Sequence, residues 1–262
     1  TLRDRPYEIV IDFHGLFKSA VLVLMSRGKR RLGYDSLQEG SGLVLSEKIP
    51  EDMGKHAVER YLDFPRHLGC AISKPEFPIA LQEAHFNRVR ELLAARTGDT
   101  TRGFVAVSPV AYWVTKLWDE AKFAAVCDRI VGELGLPVVF TGESPEGPIS
   151  RIRSLMQAPS ASAAGETSLR ELAALYKQAA VLLTTDSGPM HLAAAVGTPV
   201  VALFGPTSPA RTGPYGEGHI VIRKNLDCSP CFRKACDTLE CMKSISIEEV
   251  FEAVKSKTEN RS

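Results

Sequence analysis

The chain has 262 residues, 44% hydrophobic and 24% charged, with a net charge of +1. That balance suits a globular protein long enough to bury a core without staples, and it offers no basic surplus for nucleic acid. No apolar run reaches the ~20 residues that span a bilayer, and Thr1-Leu-Arg-Asp-Arg-Pro is no secretory signal, so a cytoplasmic setting is expected.

In chain order, the pattern predicts a strand over residues 8–13, a turn at Gly15 and a helix over 18–26. A basic turn, Arg27-Gly-Lys-Arg-Arg31, leads to a short strand at 32–34, a loop rich in Gly, Ser and acids over 35–54, and a helix over 56–68. Polar, Gly-containing residues 97–103 read as the joint between two α/β units, placing a partial first domain at 1–100 and a second at 101–262. The second opens with a strand at 104–108 and a loop carrying Trp113, Thr115, Lys116 and Trp118. A helix over 119–134, a strand over 137–141, a loop over 142–148 and helices over 149–156 and 169–179 follow, with a last helix over 247–255. Strands alternating with helices predict parallel sheets covered on both faces, an α/β pair of Rossmann-like doubly wound domains. The first domain is short for that architecture, and no initiator Met precedes it; a processed or truncated chain is the expectation.

The most informative stretch runs from Val181 to Pro206. It reads as a buried strand, a sharp turn, a short helix and a second buried strand at 200–204. Ser187 or Asp186 is placed to cap the helix, Pro189 suits its first turn, and Gly197 suits the left-handed residue that ends it. Strand end and helix start meet at one point, where free N–H groups and the positive end of the helix dipole suit a phosphate. Asp186, Ser187, Gly188 and His191 all lie there. Each alone is explained by capping or by an ordinary half-buried histidine; the combination points to a ligand.

Ligands of doubly wound sheets sit outside the C-terminal strand ends. The loops holding Thr115-Lys116, residues 142–146 and residues 186–188 share that edge. Lys116 would neutralise a phosphate, Glu143 or Glu146 would take ribose hydroxyls, and the helix would hold a second phosphate, which together match a nucleoside diphosphate. The chain has no G-x-G-x-x-G, no P-loop and no G-x-S-x-G elbow. It has no Asp-x-Asp pair, so no ligand set for a phosphate-bridging divalent metal is evident.

Thr185-Asp-Ser-Gly-Pro-Met-His191 and the run from Phe204-Gly-Pro-Thr-Ser through Gly-Pro-Tyr-Gly216 closely resemble the bacterial lipopolysaccharide heptosyltransferases, glycosyltransferase family 9. The likeness continues at Ser108–Trp118, at Ser168-Leu-Arg-Glu-Leu-Ala173, at Ile11-Asp-Phe-His-Gly-Leu-Phe-Lys-Ser19 and at His56-Ala-Val-Glu-Arg-Tyr61. It implies the GT-B arrangement, with transfer of heptose from ADP-heptose to the lipid A–Kdo inner core, inverting, without metal or cofactor. Carried over by position, it implies that Asp186 contacts the donor sugar and that Ser187, Gly188 and His191 contact phosphate. Thr115 and Lys116 would form the donor-loop pair, and Glu146, with Glu143 second, would bind ribose. Lys18 and Arg60 match basic positions on the acceptor side. The run Arg27 to Arg31 fits the acceptor, an anionic membrane surface or a plain basic helix end. Family members open with a strand and a Gly-Asp loop whose Asp is the base, so the resemblance puts the catalytic base upstream of Thr1 and leaves Asp12 structural. A monomer is expected, cytoplasmic or peripheral at the inner face of the inner membrane. The alternatives are a nucleotide-sugar-binding fragment without turnover, or a relative that transfers another sugar; first or second heptose addition stays open.

Cys228-Ser-Pro-Cys231, Cys236 and Cys241 fit a zinc knot or a redox-sensitive loop. A zinc ribbon carries two C-x-x-C hairpins and this segment has one, so a reduced or disulfide-pinned loop is the preferred reading. The resemblance makes it a family variant, and Cys70 and Cys127 read as isolated thiols.

Overall fold

A computed structural model describes residues 4–36, 39–97 and 103–259. The chain forms two compact units, residues 1–75 and 76–262.

The first unit is a three-stranded parallel sheet, β1 (Ile9–Asp12), β2 (Arg30–Tyr34) and β3 (Glu47–Ile49), in that order, with helices α1 (Phe17–Ser26) and α2 (Ala57–His67). Its core is Leu32, Tyr34, Ile49 and Phe64, with Ile11 and Leu68 packed against it. Asp12 is buried at the end of β1 and accepts the amides of His14 and Gly15 (2.9 and 3.1 Å) and the Ser19 hydroxyl (2.9 Å). These bonds fix the turn into α1, in which Gly15 takes a left-handed φ of 67°. Asp12 therefore anchors the start of α1.

The second unit begins with α3 (Glu83–Thr97) and continues β4 (Val105–Ser108), α4 (Glu120–Arg129), β5 (Val138–Phe140), α5 (Pro148–Leu155), β6 (Ala161–Ser162) and α6 (Leu169–Gln178). It proceeds through β7 (Val181–Thr185), α7 (Gly188–Ala195), β8 (Val200–Phe204), α8 (Pro209–Thr212), β9 (Ile220–Arg223), α9 (Glu240–Lys243) and α10 (Ile247–Glu259). Its six strands run β6-β5-β4-β7-β8-β9, every pair parallel. Alternation sends side chains to two separate cores. Val105, Val107, Val181, Leu183, Val201 and Leu203 meet α4, α5 and α10 on one face. Ala106, Leu182, Val200, Ala202 and Phe204 meet α3, α6 and α7 on the other. With residues buried on both faces, the strands read as unbroken apolar runs.

The unit boundary differs from the one expected near residue 100. Val89, Leu92 and Leu93 of α3 are buried in the second unit's core, at the spacing that puts them on one helical face, so α3 is part of that unit. Residues 98–102 of the expected joint lie outside the described residues. The helix expected over 119–134 is α4 followed by a π-helical turn, Ile130–Leu134, that ends at left-handed Gly135. Strand β3 lies inside the expected 35–54 loop, and β6 and β9 lie where no element is expected: β6 has two residues and β3 three, and β9 is an edge strand. No helix among the described residues is long and apolar enough to cross a membrane.

Candidate functional site

Counted within the second unit, the strand order is 3-2-1-4-5-6, and the chain reverses its winding between β4 and β7. Loops leaving these two strands diverge to opposite faces and open a crevice at the C-terminal edge, which is where parallel α/β sheets take ligands. Ser108 pairs in register with Thr184, so the two loops start side by side. Two hydroxyls tie them: Thr184 Oγ1 donates to the Ser108 carbonyl (3.1 Å) and Thr185 Oγ1 to that of Val110 (3.2 Å).

The β4 loop ends in a 3₁₀ turn, Val114–Lys116. Thr115 is buried within it, and its hydroxyl donates to the Arg233 carbonyl at 2.9 Å. The next residue projects across the crevice: Lys116 Nζ lies 2.7 Å from Asp186 Oδ2. The same oxygen accepts from Thr207 Oγ1 at 2.6 Å, and Lys116 Nζ is 4.7 Å from the Trp113 ring centroid. Lys234 Nζ approaches the same ring to 5.3 Å. The Lys116 and Asp186 side chains are 17% and 6% exposed, so their charges are little screened by water.

Ser187 occupies the N-cap of α7 but does not cap it with its side chain. Its Oγ instead contacts the Thr185 carbonyl (3.3 Å) and Thr184 Oγ1 (3.4 Å). This corrects the expectation that Ser187 or Asp186 caps the helix: the Asp186 carboxylate faces Lys116 and Thr207. The first turn of α7 thus presents amides and the positive dipole end with no side-chain cap over them. Pro189 sits in the first turn and Gly197 takes φ 78° beyond the last, as expected. Gly188 is exposed, and a Cβ there would meet nothing within 4 Å. His191 is exposed one turn along.

Glu143 and Glu146 are exposed on the loop after β5. The structure places them on the same sheet edge and in no bond with the Lys116–Asp186 pair. In the first unit, Lys18 is exposed on α1. Arg60 is buried, and its Nη1 pairs with Glu51 Oε1, so its charge is already compensated. Thr207, Trp113 and Lys234 are neighbours of this pair that were not among the expected site residues. A signal for Thr207 was present in Gly205-Pro-Thr207, which leaves β8 beside β7.

The cysteine segment braces this site. The amides of Cys231 and Phe232 donate to the Pro206 carbonyl (3.0 and 2.8 Å), and Ser229 Oγ donates to that of Gly205 (2.6 Å). All six cysteines are free thiols, and no group of three metal-binding side chains is gathered among the described residues. Burial pushes the Cys241 thiol up, whereas exposed Cys236 is held below the usual thiol range, first by its contact with the Thr238 hydroxyl.

Residues 1–242 match glycosyltransferase family 9 (heptosyltransferase). The chain belongs to this family. Within it, the chain is 30% identical over 239 residues to lipopolysaccharide heptosyltransferase 1 of Pseudomonas aeruginosa, covering 90% of this chain and 64% of that protein. Among solved structures, the family 9 glycosyl transferase of Veillonella parvula superposes with a TM-score of 0.82 at 24% identity, covering 97% of this chain and 74% of the other. E. coli heptosyltransferase WaaC, solved with ADP, gives 0.72 at 20% identity over 98% and 74% of the two chains. These likenesses support the α/β fold with its parallel sheets. The chain spans less than two thirds of the length of the first curated relatives it matches, 61% and 64%.

Proposed function

We propose that this chain carries the donor-nucleotide site of a heptosyltransferase of lipopolysaccharide core assembly, which moves heptose from ADP-heptose to the lipid A–Kdo inner core. The observation that carries the reading is the Lys116–Asp186 pair, 2.7 Å apart at the sheet's switch point, beside the uncapped start of α7. On this reading the diphosphate takes the α7 amides and the Lys116 ammonium, freeing the Asp186 carboxylate toward the sugar. Ser187, Gly188 and His191 border the phosphates; Thr115 holds the turn that presents Lys116; Glu146, with Glu143, takes the ribose hydroxyls.

Transfer from a nucleoside diphosphate sugar builds negative charge on the departing phosphate. A cation and a helix dipole placed there stabilise that charge as it forms. The chain lacks an Asp-x-Asp pair for a divalent ion, which favours metal-independent transfer, and the family resemblance implies that transfer is inverting. The two α/β units would then be the halves of a GT-B enzyme, the first facing the acceptor, with Lys18 on that side. A monomeric cytoplasmic protein, peripheral at the inner face of the inner membrane, fits this role.

The deciding experiment is calorimetric titration of ADP and ADP-heptose into the chain and its Lys116→Met variant. Saturable one-to-one binding that weakens in the variant supports the reading. Absence of ADP binding, or equal binding by both proteins, overturns it.

A further inference from the structure

A second ammonium group stands on the rim of the Lys116–Asp186 crevice, and it comes from the cysteine segment. Lys234 Nζ lies 5.3 Å from the centroid of the Trp113 ring, and Lys116 Nζ lies 4.7 Å from the same ring. Trp113 is half-buried and opens the 3₁₀ turn that carries Lys116; its carbonyl accepts the Lys116 amide at 3.0 Å. One indole thus gathers two cations from distant parts of the chain.

The backbone that presents Lys234 is fixed. The Thr115 hydroxyl donates at 2.9 Å to the Arg233 carbonyl, the peptide group that leads directly into Lys234. Just before it, the Cys231 and Phe232 amides hold the Pro206 carbonyl. Further on, the segment returns to the same turn. Cys241 and Met242 pack so closely on Gly205 that a Cβ there would lie 2.6 Å from Met242 Sδ and 3.0 Å from Cys241 Sγ. The segment is therefore clamped on the turn after β8 at both ends. Lys234 starts from a set position, and its exposed side chain supplies the reach through a flexible four-carbon stem.

The charges on the two lysines are answered unequally. Asp186 pairs with Lys116 at 2.7 Å. Lys234 makes no ion pair among the described residues. Of the charged residues around it in the segment, Arg233 adds positive charge, and the Glu240 carboxylate takes the Ser244 hydroxyl at 2.6 Å. Asp237 lies three residues on and makes no ion pair with Lys234. His191, on α7, is neutral or positive and so is no counter-charge. An exposed ammonium on an aromatic face is held weakly, whereas a phosphate oxygen offers it a charge-assisted hydrogen bond, which is stronger.

We propose that Lys234 is a second phosphate-binding cation of the donor site, resting on Trp113 and turning to the diphosphate when the nucleotide binds. A single phosphate is served by the α7 amides and Lys116. The diphosphate carries further negative charge, and Lys234 is the cation that meets it. The inference rests on the donor-site reading and adds to it a residue brought by the cysteine segment, whose task is then to present a charge rather than to use its thiols.

The test is calorimetric titration of ADP and of AMP into the chain and into its Lys234→Met and Lys234→Arg variants. Methionine keeps an unbranched apolar side chain against Trp113 and removes the charge; arginine keeps the charge. Lys234→Met is expected to bind ADP about five- to twentyfold more weakly and AMP within about twofold of the parent, the share of one partly exposed charged hydrogen bond. Lys234→Arg should bind ADP within about threefold of the parent, since its guanidinium also pairs with phosphate. The ADP deficit of Lys234→Met should shrink in about 0.5 M NaCl, because salt screens an exposed charge and leaves a packing defect untouched. Three results overturn the inference: unchanged ADP affinity in Lys234→Met, a loss that Lys234→Arg does not recover, or an equal loss for AMP and ADP. Lys116→Met in the same series separates the two readings. ADP binding that weakens in Lys116→Met and not in Lys234→Met removes this inference alone; a parent chain that binds no ADP removes the donor-site reading and this inference with it.

Discussion

Lys116 and Asp186 close an ion pair at 2.7 Å across the one point in the six-stranded sheet where the winding reverses. Two residues far apart in the chain, each on a loop leaving a neighbouring strand, neutralise one another where a diphosphate would sit. On the donor-site reading, a phosphate entering the crevice would compete with Asp186 for the ammonium, which would link binding to the internal pair. Thr207, 2.6 Å from the shared carboxylate oxygen, would keep a hydrogen bond on Asp186 if the lysine turned to a ligand.

The pair's two roles separate in a double-mutant cycle. Lys116→Met leaves a buried carboxylate with one partner and should destabilise the fold by about 1–3 kcal/mol, below the figure for a fully buried pair because the lysine is partly exposed. Asp186→Asn added to it should restore most of that stability in urea denaturation. ADP affinity should stay about 10- to 100-fold down in the double variant, since a hydrogen bond to a charged group contributes about 1.5–3 kcal/mol. Recovery of affinity along with stability would show that Lys116 acts only through the fold.

Ser187→Ala offers a sharper contrast. An N-cap serine whose side chain caps the helix costs about 1 kcal/mol on removal. Ser187 makes no such bond, so its loss should change the unfolding free energy by less than about half that. ADP affinity should nevertheless fall about two- to tenfold if the hydroxyl turns to phosphate. A full capping cost with unchanged ADP binding would return Ser187 to a purely structural role.

The same contrast explains what was legible in the sequence. Strands β7 and β8 announce themselves because every residue is buried, which demands uninterrupted apolar and small residues. The Gly-Pro start of α7 and left-handed Gly197 are positions where backbone chemistry restricts the choice of residue. Strands β6 and β9 carry no such signal; one is two residues long and the other an edge. Helix α3 had a readable stripe in Val89, Leu92 and Leu93, masked by its many charged neighbours. Lys116 and Asp186 were each visible as candidates, but their pairing depends on β4 and β7 lying side by side, which local pattern does not state. Arg60 was carried over by position from the resemblance as an acceptor-side cation, and only the fold reveals that Glu51 answers it.

The start of α10 should contribute to acid sensitivity. Glu249 is held down at about 2, first by its bond with the Lys224 ammonium, then by the Ser246 amide and hydroxyl, at 3.0 and 2.7 Å. Its folded value lies below the unfolded value near 4.3, so its contribution is fully present above that pH and is lost as pH falls toward 2. Urea denaturation of the parent and Glu249→Gln should show their largest stability gap near neutrality, shrinking steadily below pH 4.5. A gap that does not change with pH would mean the variant loses only the reciprocal Ser246 cap.

Thiol reactivity gives the last test, and it bears on the cysteine segment that braces the site. Cys236 is exposed and its thiol is held below the usual range by the Thr238 hydroxyl and neighbouring amides. Cys127 is buried and pushed far up by desolvation, and Cys241 is raised by burial and by the other thiols of the cluster. Because the thiolate is the nucleophile, iodoacetamide at neutral pH should label Cys236 first and leave Cys127 unmodified until the protein unfolds. Mass spectrometry of timed samples resolves the order. Single modification at Cys236 should leave ADP affinity within about twofold, since its side chain has no part in the Lys116–Asp186 contacts. A larger loss would show that this segment's conformation sets the geometry of the donor crevice through its hold on Pro206 and on Thr115. Protection of Cys236 in the folded protein would instead show that its thiol is engaged with another group of the cluster.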